Sequence, residues 1–249
     1  MNTELKGKIA IVTGASAGIG WAIAEDLAAA GVKVVVSARR KERLEALVKK
    51  IAAGGGSARA VAADAGDMRH IDKLMQQTQD WAGRLDIVVV NAGRGLAGGI
   101  LSSDQSQWQS MYQLNVLGAV YLMRRAGEIL CQQGRGDIVV LGSVSGHHIS
   151  PFSGFYGSSK WAIAGAAEAM RREVCGKGVR VSIVKPGIVT SEFQAAAGYD
   201  PESFGAWTQK WGEPLNPVDV ARAVTFIVSQ PERVHINEMV VRPTGQDYP

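Results

Sequence analysis

Tyr156 and Lys160 are the residues of this 249-residue chain whose types and spacing most directly suggest chemistry. They lie four positions apart in a predicted helix over 155–173, so both side chains project from one face, one turn apart. A free tyrosine has a pKa of about 10, and a nearby ammonium group favours the phenolate and lowers that pKa. The pair is therefore a candidate general acid/base. Ser143 follows a predicted strand and adds a hydroxyl that can polarise a substrate carbonyl.

A glycine-rich turn near the N-terminus is a candidate phosphate site. Residues 13–20 read TGASAGIG, after a β-branched run and before a helical stretch. Glycines let the backbone approach a pyrophosphate closely, and the N–H groups at the start of the helix point toward it. This context predicts a bound dinucleotide. The residues expected to line it are Gly14, Ser16, Ala17, Gly18 and Ile19.

Arg39 and Arg40 follow the second predicted strand, at the place where an NAD-specific site carries a carboxylate for the ribose 2′-hydroxyl. No carboxylate occurs there before Glu42. A guanidinium can pair with a 2′-phosphate through two hydrogen bonds, so the pattern predicts NADP(H). The alternative is that both arginines are solvated residues in the first turn of the next helix.

Two further turns carry candidate cofactor contacts. Asp64 and Ala65 follow the third predicted strand, where a carboxylate can accept a hydrogen bond from an adenine amino group. The alternative role for Asp64 is to cap the helix that begins near Asp67. The fourth predicted strand is followed by small residues that let the chain pass beside a cofactor, namely Asn91, Ala92 and Gly93.

Short β-branched runs alternate with amphipathic segments along the whole chain. The predicted strands are Ile9–Thr13, Lys33–Ser37, Ala58–Ala62, Ile87–Val90, Asp137–Leu141, Arg180–Val184 and Met239–Val241. The predicted helices include 19–30, 41–52, 68–81 and 107–130. The alternation predicts an α/β protein, a three-layer doubly wound Rossmann fold with a seven-stranded parallel sheet. No stretch resembles a linker, so residues 1–249 are predicted to form a single domain.

Composition and charge exclude several other classes. With 46% hydrophobic and 20% charged residues, the chain has the make-up of a folded soluble protein. We expect no membrane span and, from the polar N-terminus, no signal peptide. Two distant cysteines predict neither a disulfide framework nor a metal site and favour the cytoplasm. The net charge of +4 comes without a groove-reading motif, so no nucleic-acid partner is expected.

Taken together, the motifs resemble those of the short-chain dehydrogenase/reductase family, and the resemblance covers essentially the whole chain. They are TGxxxGxG at 13–20, NAG at 91–93, Asn115, Ser143, YxxxK at 156–160 and PGxxxT at 186–190. The resemblance implies that Tyr156 transfers a proton, Lys160 lowers its pKa and bonds the nicotinamide ribose, and Ser143 orients the carbonyl. It also implies that Asn115 holds a water linked to Lys160. The residues implied to flank the nicotinamide are Pro186, Gly187, Ile188, Val189 and Thr190.

The resemblance extends to finer features. Ala17 stands where many NADP-using relatives carry a basic residue, so the two arginines would supply most of the 2′-phosphate affinity. The tail at 237–246 resembles a subgroup of NADP-dependent reductases that includes 3-hydroxy acid (serine-type) dehydrogenases and sulfoacetaldehyde reductases. The family also implies a homotetramer, which small residues after Trp161 would permit. One alternative function is an NADP(H)-binding sensor of the same fold, without turnover. Another is a different reaction on the same scaffold, such as epimerisation or dehydration.

A segment at about 190–213 is expected to cover a small carbonyl or alcohol substrate. Its aromatic residues either close an apolar lid or pack against the body of the protein or another subunit. They are Phe193, Tyr199, Phe204, Trp207 and Trp211. Arg94 and His147, together with Phe193, are candidate substrate contacts. The two basic side chains would suit an anionic substrate; the alternative is that they are simply solvated.

Overall fold

The computed structural model describes residues 5–150, 152–200, 202, 205, 209 and 211–248. Its strands among these residues are β1 (Ile9–Thr13), β2 (Lys33–Ala38), β3 (Ser57–Ala62), β4 (Ile87–Val90), β5 (Gly136–Leu141), β6 (Val179–Pro186) and β7 (Glu238–Val241). They form one seven-stranded sheet of order β3-β2-β1-β4-β5-β6-β7, and every neighbouring pair is parallel. The predicted sheet is confirmed, and each strand lies within two residues of its predicted bounds.

The helices in the described part of the chain connect these strands. They are α1 (Gly18–Ala29), α2 (Lys41–Ala53), α3 (Met68–Ala82), α4 (Trp108–Tyr112), α5 (Ala119–Gln133), α6 (Gly154–Val174), α7 (Phe193–Ala196) and α8 (Pro217–Val228). None of these described helices combines the length and the apolar character that a bilayer crossing requires.

Alternation along the strands divides the core into two halves. In β1, the side chains of Ala10 and Val12 pack with α1, α2 and α8, whereas Ile11 packs with α3, α5 and α6 on the other face. Successive side chains of a strand point to opposite faces, so a sheet covered on both faces needs apolar residues at every position. The five residues of β1 are accordingly all buried. The result is the predicted three-layer doubly wound fold.

The order of the strands places the functional loops. The chain builds outward from β1 to β3 and then returns to add β4 on the other side of β1. Ligands of such sheets bind beyond the carboxyl ends of the strands, at the point where the order reverses. The loops that follow β1 and β4 therefore lie side by side at this point.

The helical stretch predicted over 107–130 is helical but interrupted. A π-helical turn, Gln113–Gly118, separates α4 from α5. A Cβ at Gly118 would overlap the carbonyl oxygen of Ala65, so the helix backbone passes very close to the loop after β3. Single π turns within helices are frequent at functional sites. The apolar periodicity of the sequence does not reveal this extra residue in the turn.

Candidate active site

The glycine turn after β1 is shaped by the loop after β4. Gly14 has a φ of +67° and Gly18 a φ of +55°, which residues with a side chain rarely adopt. A Cβ at Gly14 would stand 2.7 Å from Asn91 Nδ2 and 2.9 Å from Ala92 Cα. Asn91 ties the two loops together, because its Nδ2 donates to the Thr13 carbonyl oxygen at 2.8 Å. Glycine at position 14 and asparagine at position 91 thus hold the two loops in contact.

The start of α1 offers a site for an anion. Its N-cap residue, Ala17, makes no side-chain cap hydrogen bond, and the first N–H groups of a helix have no partner within the helix. Gly18 and Ile19 in this first turn line a cavity of about 880 Å³. N–H groups and the positive end of the helix dipole together favour a phosphate. The turn fits the pyrophosphate that its sequence predicts.

Most of the predicted site residues line this one cavity. The structure brings together there Gly14, Ser16, Ala17, Gly18, Ile19, Arg39, Arg40, Asp64, Ala65, Asn91, Ala92, Gly93, Arg94, Ser143, Tyr156, Lys160, Pro186, Gly187, Ile188, Val189 and Phe193. Three predicted residues are not in the cavity lining, namely Asn115, His147 and Thr190. The predicted residues that line the cavity lie at or after the carboxyl ends of six strands, as the fold requires.

Tyr156 and Lys160 meet at the floor of the cavity on α6. They are 7% and 8% exposed, and Lys160 Nζ lies 5.8 Å from the centroid of the Tyr156 ring. The ammonium group donates a hydrogen bond to the Leu141 carbonyl oxygen at 2.8 Å. A lysine tied to the end of β5 has a fixed position relative to Ser143, two residues further along. The Ser143 hydroxyl also accepts a hydrogen bond from Ser145 N at 3.1 Å.

Burial governs the ionisation of this pair. Burial raises the pKa of Tyr156, and a hydrogen bond with the Ser143 hydroxyl acts in the opposite direction. Burial also lowers the pKa of Lys160, from 10.5 to about 8. The resemblance implied that the lysine lowers the tyrosine pKa, whereas in this structure burial is the largest cause and raises it. The phenol is therefore held protonated, as a proton donor requires.

Asn115 lies in the π turn and does not line the cavity, although its neighbour Leu114 does. Its Oδ1 accepts from Arg94 N at 2.9 Å, while its Nδ2 donates to the Arg94 carbonyl oxygen at 2.8 Å and to Ser159 Oγ at 3.2 Å. The side chain is buried. Asn115 therefore fixes the backbone of the loop after β4 against α6. A Cβ built on Gly93 would lie 3.3 Å from its Oδ1 and 3.8 Å from Lys160 Nζ, so the two polar groups approach from the same side.

Of the two arginines after β2, Arg40 makes the specific contacts. Its Nε and Nη2 donate to Ser16 Oγ at 3.1 and 3.0 Å, which joins it to the glycine turn. Its Nη1 donates to Glu192 Oε2 at 2.9 Å. Arg39 is exposed and also lines the cavity. Arg40 is thus a cavity-edge cation held by defined partners and not merely a solvated helix residue.

Asp64, in the loop after β3, was predicted either to contact the adenine or to cap α3. Its Oδ1 accepts from Gly66 N at 2.9 Å, which closes a tight turn. The cap of α3 is instead Asp67, whose carboxylate accepts from Arg69 N. The capping role considered for Asp64 is wrong, because the turn places Asp67 at the helix start. Asp64 and Ala65 remain on the cavity wall.

The basic candidates for substrate binding, Arg94 and His147, have partners within the protein. The guanidinium of Arg94 donates to Gln107 Oε1 and, at 3.4 Å, to Ser110 Oγ. His147 lies with its Nδ1 3.6 Å from Glu238 Oε1, at the edge strand β7. The described lining of the cavity also includes neutral residues such as Ser150 and Phe152.

The aromatic residues of the segment after β6 divide between the two predicted roles. The ring of Phe193 meets Tyr156 edge-on, with centroids 5.6 Å apart, and Tyr199 also lines the cavity. Trp211 instead packs into the body, 5% exposed, with its Nε1 2.6 Å from Asp247 Oδ1. Thr190 is exposed, and its N donates to the Leu215 carbonyl oxygen. Phe204 and Trp207 lie outside the described residues.

Gln246 and Glu192 also line the cavity, but no sequence motif predicts a role for either of them. Gln246 is buried, and its Oε1 accepts from Ile188 N at 3.0 Å, so the C-terminal segment supports the loop after β6. Glu192 pairs with Arg40 and with Arg43, at 2.9 and 2.6 Å. Both residues act on partners at least 58 positions away in the chain, which no local pattern reveals.

The chain is similar to known proteins over nearly its full length. It is 34% identical to an uncharacterized oxidoreductase of Staphylococcus aureus, over 97% of this chain and 99% of that protein. Its fold matches the closed form of serine dehydrogenase complexed with NADP+ with a TM-score of 0.89 and 28% identity, covering 96% of each chain. It also matches an alcohol dehydrogenase of Thermococcus sibiricus complexed with 5-hydroxy-NADP, with a TM-score of 0.85 and 26% identity, over 96% and 97% of the two chains.

The family model described as short chain dehydrogenase matches residues 8–201. That range contains the glycine turn, the asparagine loop and the Ser143, Tyr156 and Lys160 cluster. The chain therefore belongs to the short-chain dehydrogenase family and is an oxidoreductase of that type.

Proposed function

We propose that this protein is an NADP(H)-dependent oxidoreductase that interconverts a small carbonyl compound and its alcohol. The observation that carries the proposal is the single cavity in which the glycine turn, Arg40 and the Ser143, Tyr156 and Lys160 cluster face one another. The solved structures of serine dehydrogenase and of a metagenomic short-chain oxidoreductase, to which the fold is similar, are described as complexes with NADP+ and NADP. A homotetramer in the cytoplasm is the accompanying expectation.

The residues of the chain divide the work of binding. The N–H groups at the start of α1 hold the pyrophosphate, Arg40 pairs with the 2′-phosphate, and Asp64 accepts from the adenine amino group. The end of β6 and the loop after it, from Pro186 to Val189, support the nicotinamide end. When bound, NADP(H) supplies or accepts the hydride.

The catalytic residues handle the proton and the carbonyl oxygen. In reduction, Ser143 donates a hydrogen bond that polarises the carbonyl, and the Tyr156 hydroxyl gives its proton to the oxygen as negative charge develops there. Lys160 then stabilises the phenolate, because a nearby ammonium favours that form. In oxidation, the same groups act in reverse, and the phenolate accepts the proton of the alcohol.

The lining favours a neutral carbonyl over an acid. The Arg94 guanidinium keeps its charge but is held by the Gln107 amide, His147 lies outside the lining, and Asp200 adds a carboxylate to the lining. Phe152, Phe193 and Tyr199 add apolar surface. We therefore expect small neutral aldehydes and ketones to react faster than keto acids or sulfonates, in contrast to the subgroup suggested by the C-terminal segment.

The test is the consumption of NADPH with a panel of neutral and acidic carbonyl compounds, run beside NADH. Tyr156→Phe should lower the rate by about 10²-fold to 10⁴-fold, the usual contribution of a general acid. Tyr121→Phe is the matched control. The Tyr121 hydroxyl donates a hydrogen bond to Asp72, and neither residue lines the cavity. NADPH binding without turnover of any panel member would instead favour the sensor function.

A further inference from the structure

Glu192 bridges two arginines at the mouth of the cavity. One carboxylate oxygen lies 2.9 Å from Arg40 Nη1, and the other lies 2.6 Å from Arg43 Nη1. All three side chains are about half exposed. The bridge joins the segment after β6 to the start of α2, across the glycine turn.

Glu192 pairs with Arg40, the cation that the proposed function assigns to the 2′-phosphate. Arg40 is the arginine that is also tied to Ser16 of the glycine turn, and it lines the cavity, whereas Arg43 does not. Hydrogen bonds from both arginines lower the pKa of Glu192, so its carboxylate is ionised at neutral pH. A carboxylate and a 2′-phosphate are both acceptors for the same guanidinium edge, and two anions at one cation repel each other.

We propose that Glu192 is a specificity-determining residue that competes with the 2′-phosphate of the cofactor for Arg40. The inference rests on the proposed use of NADP(H). Arg43 remains as a second partner, so that Glu192 can leave Arg40 without losing every cation. A cofactor without a 2′-phosphate leaves the Glu192–Arg40 contact in place.

The position of Glu192 in the chain extends the consequence to the catalytic centre. The next residue, Phe193, packs its ring against Tyr156 and begins α7. The Ala197 carbonyl oxygen at the end of this turn accepts from Ala97 N at 2.9 Å. Exchange of Glu192 for phosphate on Arg40 therefore releases one anchor of the segment that covers Tyr156.

The experiment is a calorimetric titration of the intact protein with adenosine 2′,5′-bisphosphate and with adenosine 5′-monophosphate. Neither ligand carries a nicotinamide, so the readout is binding and not activity. The variants are Glu192→Gln, Arg40→Gln and the control Glu168→Gln. Glu168 also bridges two arginines, Arg171 and Arg172, at 2.6 Å each, and it lies outside the cavity lining.

Glu192→Gln should tighten the bisphosphate by about twofold to fivefold, the upper part of the range measured for exposed charge pairs. It should leave the monophosphate unchanged, and Glu168→Gln should change neither. Equal effects of the two glutamate variants would mean that only the net charge of the protein affects binding, and this result would overturn the proposal. Weaker binding of both ligands in Glu192→Gln would also overturn it, because Glu192 would then only hold the segment in place.

Arg40→Gln separates this inference from the proposed function. It should weaken the bisphosphate and spare the monophosphate. If Arg40→Gln does so while Glu192→Gln has no effect, the NADP(H) assignment stands and the competition is wrong. If Arg40→Gln has no effect on the bisphosphate, the assignment of the 2′-phosphate to Arg40 is itself wrong.

Discussion

The burial of Lys160 predicts a stability that rises with pH. The pKa of this lysine is lowered from 10.5 to about 8, because the folded protein removes its ammonium group from water. Between these two values the folded protein binds fewer protons at this site than the unfolded chain does. Stability therefore increases as pH rises through this window, and the penalty for a buried charge is fully present below it.

The size of the effect follows from the two values. Each pH unit between them corresponds to about 1.4 kcal/mol. Relative to a Lys160→Met variant, the free energy of unfolding of the wild-type protein should rise by about 2.5 kcal/mol from pH 7 to pH 10. The hydrogen bond to the Leu141 carbonyl oxygen adds a difference between the two proteins. Because that hydrogen bond lies in the folded state at both pH values, the comparison concerns the slope and not the offset.

The assay is urea unfolding of both proteins at one concentration, at four pH values from 7 to 10. Lys49→Met is the matched control, since Lys49 is exposed on α2 and its ammonium group meets solvent whether the chain is folded or not. The wild-type minus Lys49→Met difference should stay flat. A flat difference for Lys160→Met as well would refute the reasoning and would mean that water reaches the Lys160 ammonium in the folded protein.

Three further changes have expected outcomes. Gly14→Ala places a Cβ against the loop after β4 at a φ of +67°, so it should cost about 1–2 kcal/mol from conformation alone and weaken nucleotide binding; an unchanged melting temperature would contradict the fit. Asp137→Asn leaves the buried Arg180 without its carboxylate, 2.6 Å away, and should cost about 3–5 kcal/mol in urea unfolding, whereas a cost below 1 kcal/mol would show that three carbonyl contacts suffice. Asn216→Ala removes the capping box of α8 and should cost about 1 kcal/mol, with no change in nucleotide affinity; a loss of affinity would show that α8 positions the site.

Local patterns were sufficient to predict the sheet and most of the cavity wall. Apolar runs such as Val34 to Val36 mark strands covered on both faces. Their alternation with helices predicts a parallel sheet. The carboxyl ends of such strands form one edge, so the loops after them had to meet. The Tyr156 and Lys160 pair followed from helical spacing alone, because residues four apart share a face.

The sequence could not predict which polar groups would be left for a ligand. Arg94 and His147 are basic and follow strand ends, yet Gln107 and Glu238 engage them. The partners come from other elements, and hydrogen bonding between side chains depends on distances of a few ångströms that spacing does not set.

The sequence by itself therefore determined the α/β class, the parallel sheet and the set of residue types at its carboxyl edge. These depend on periodicity and on backbone conformation, which are local. Only the tertiary structure decided that burial holds Tyr156 protonated, that a π turn fixes Asn115 behind the cavity, and that Glu192 meets Arg40 across 152 positions of the chain. Desolvation and charge pairing arise only when distant segments pack together, and for that reason no local pattern contains them.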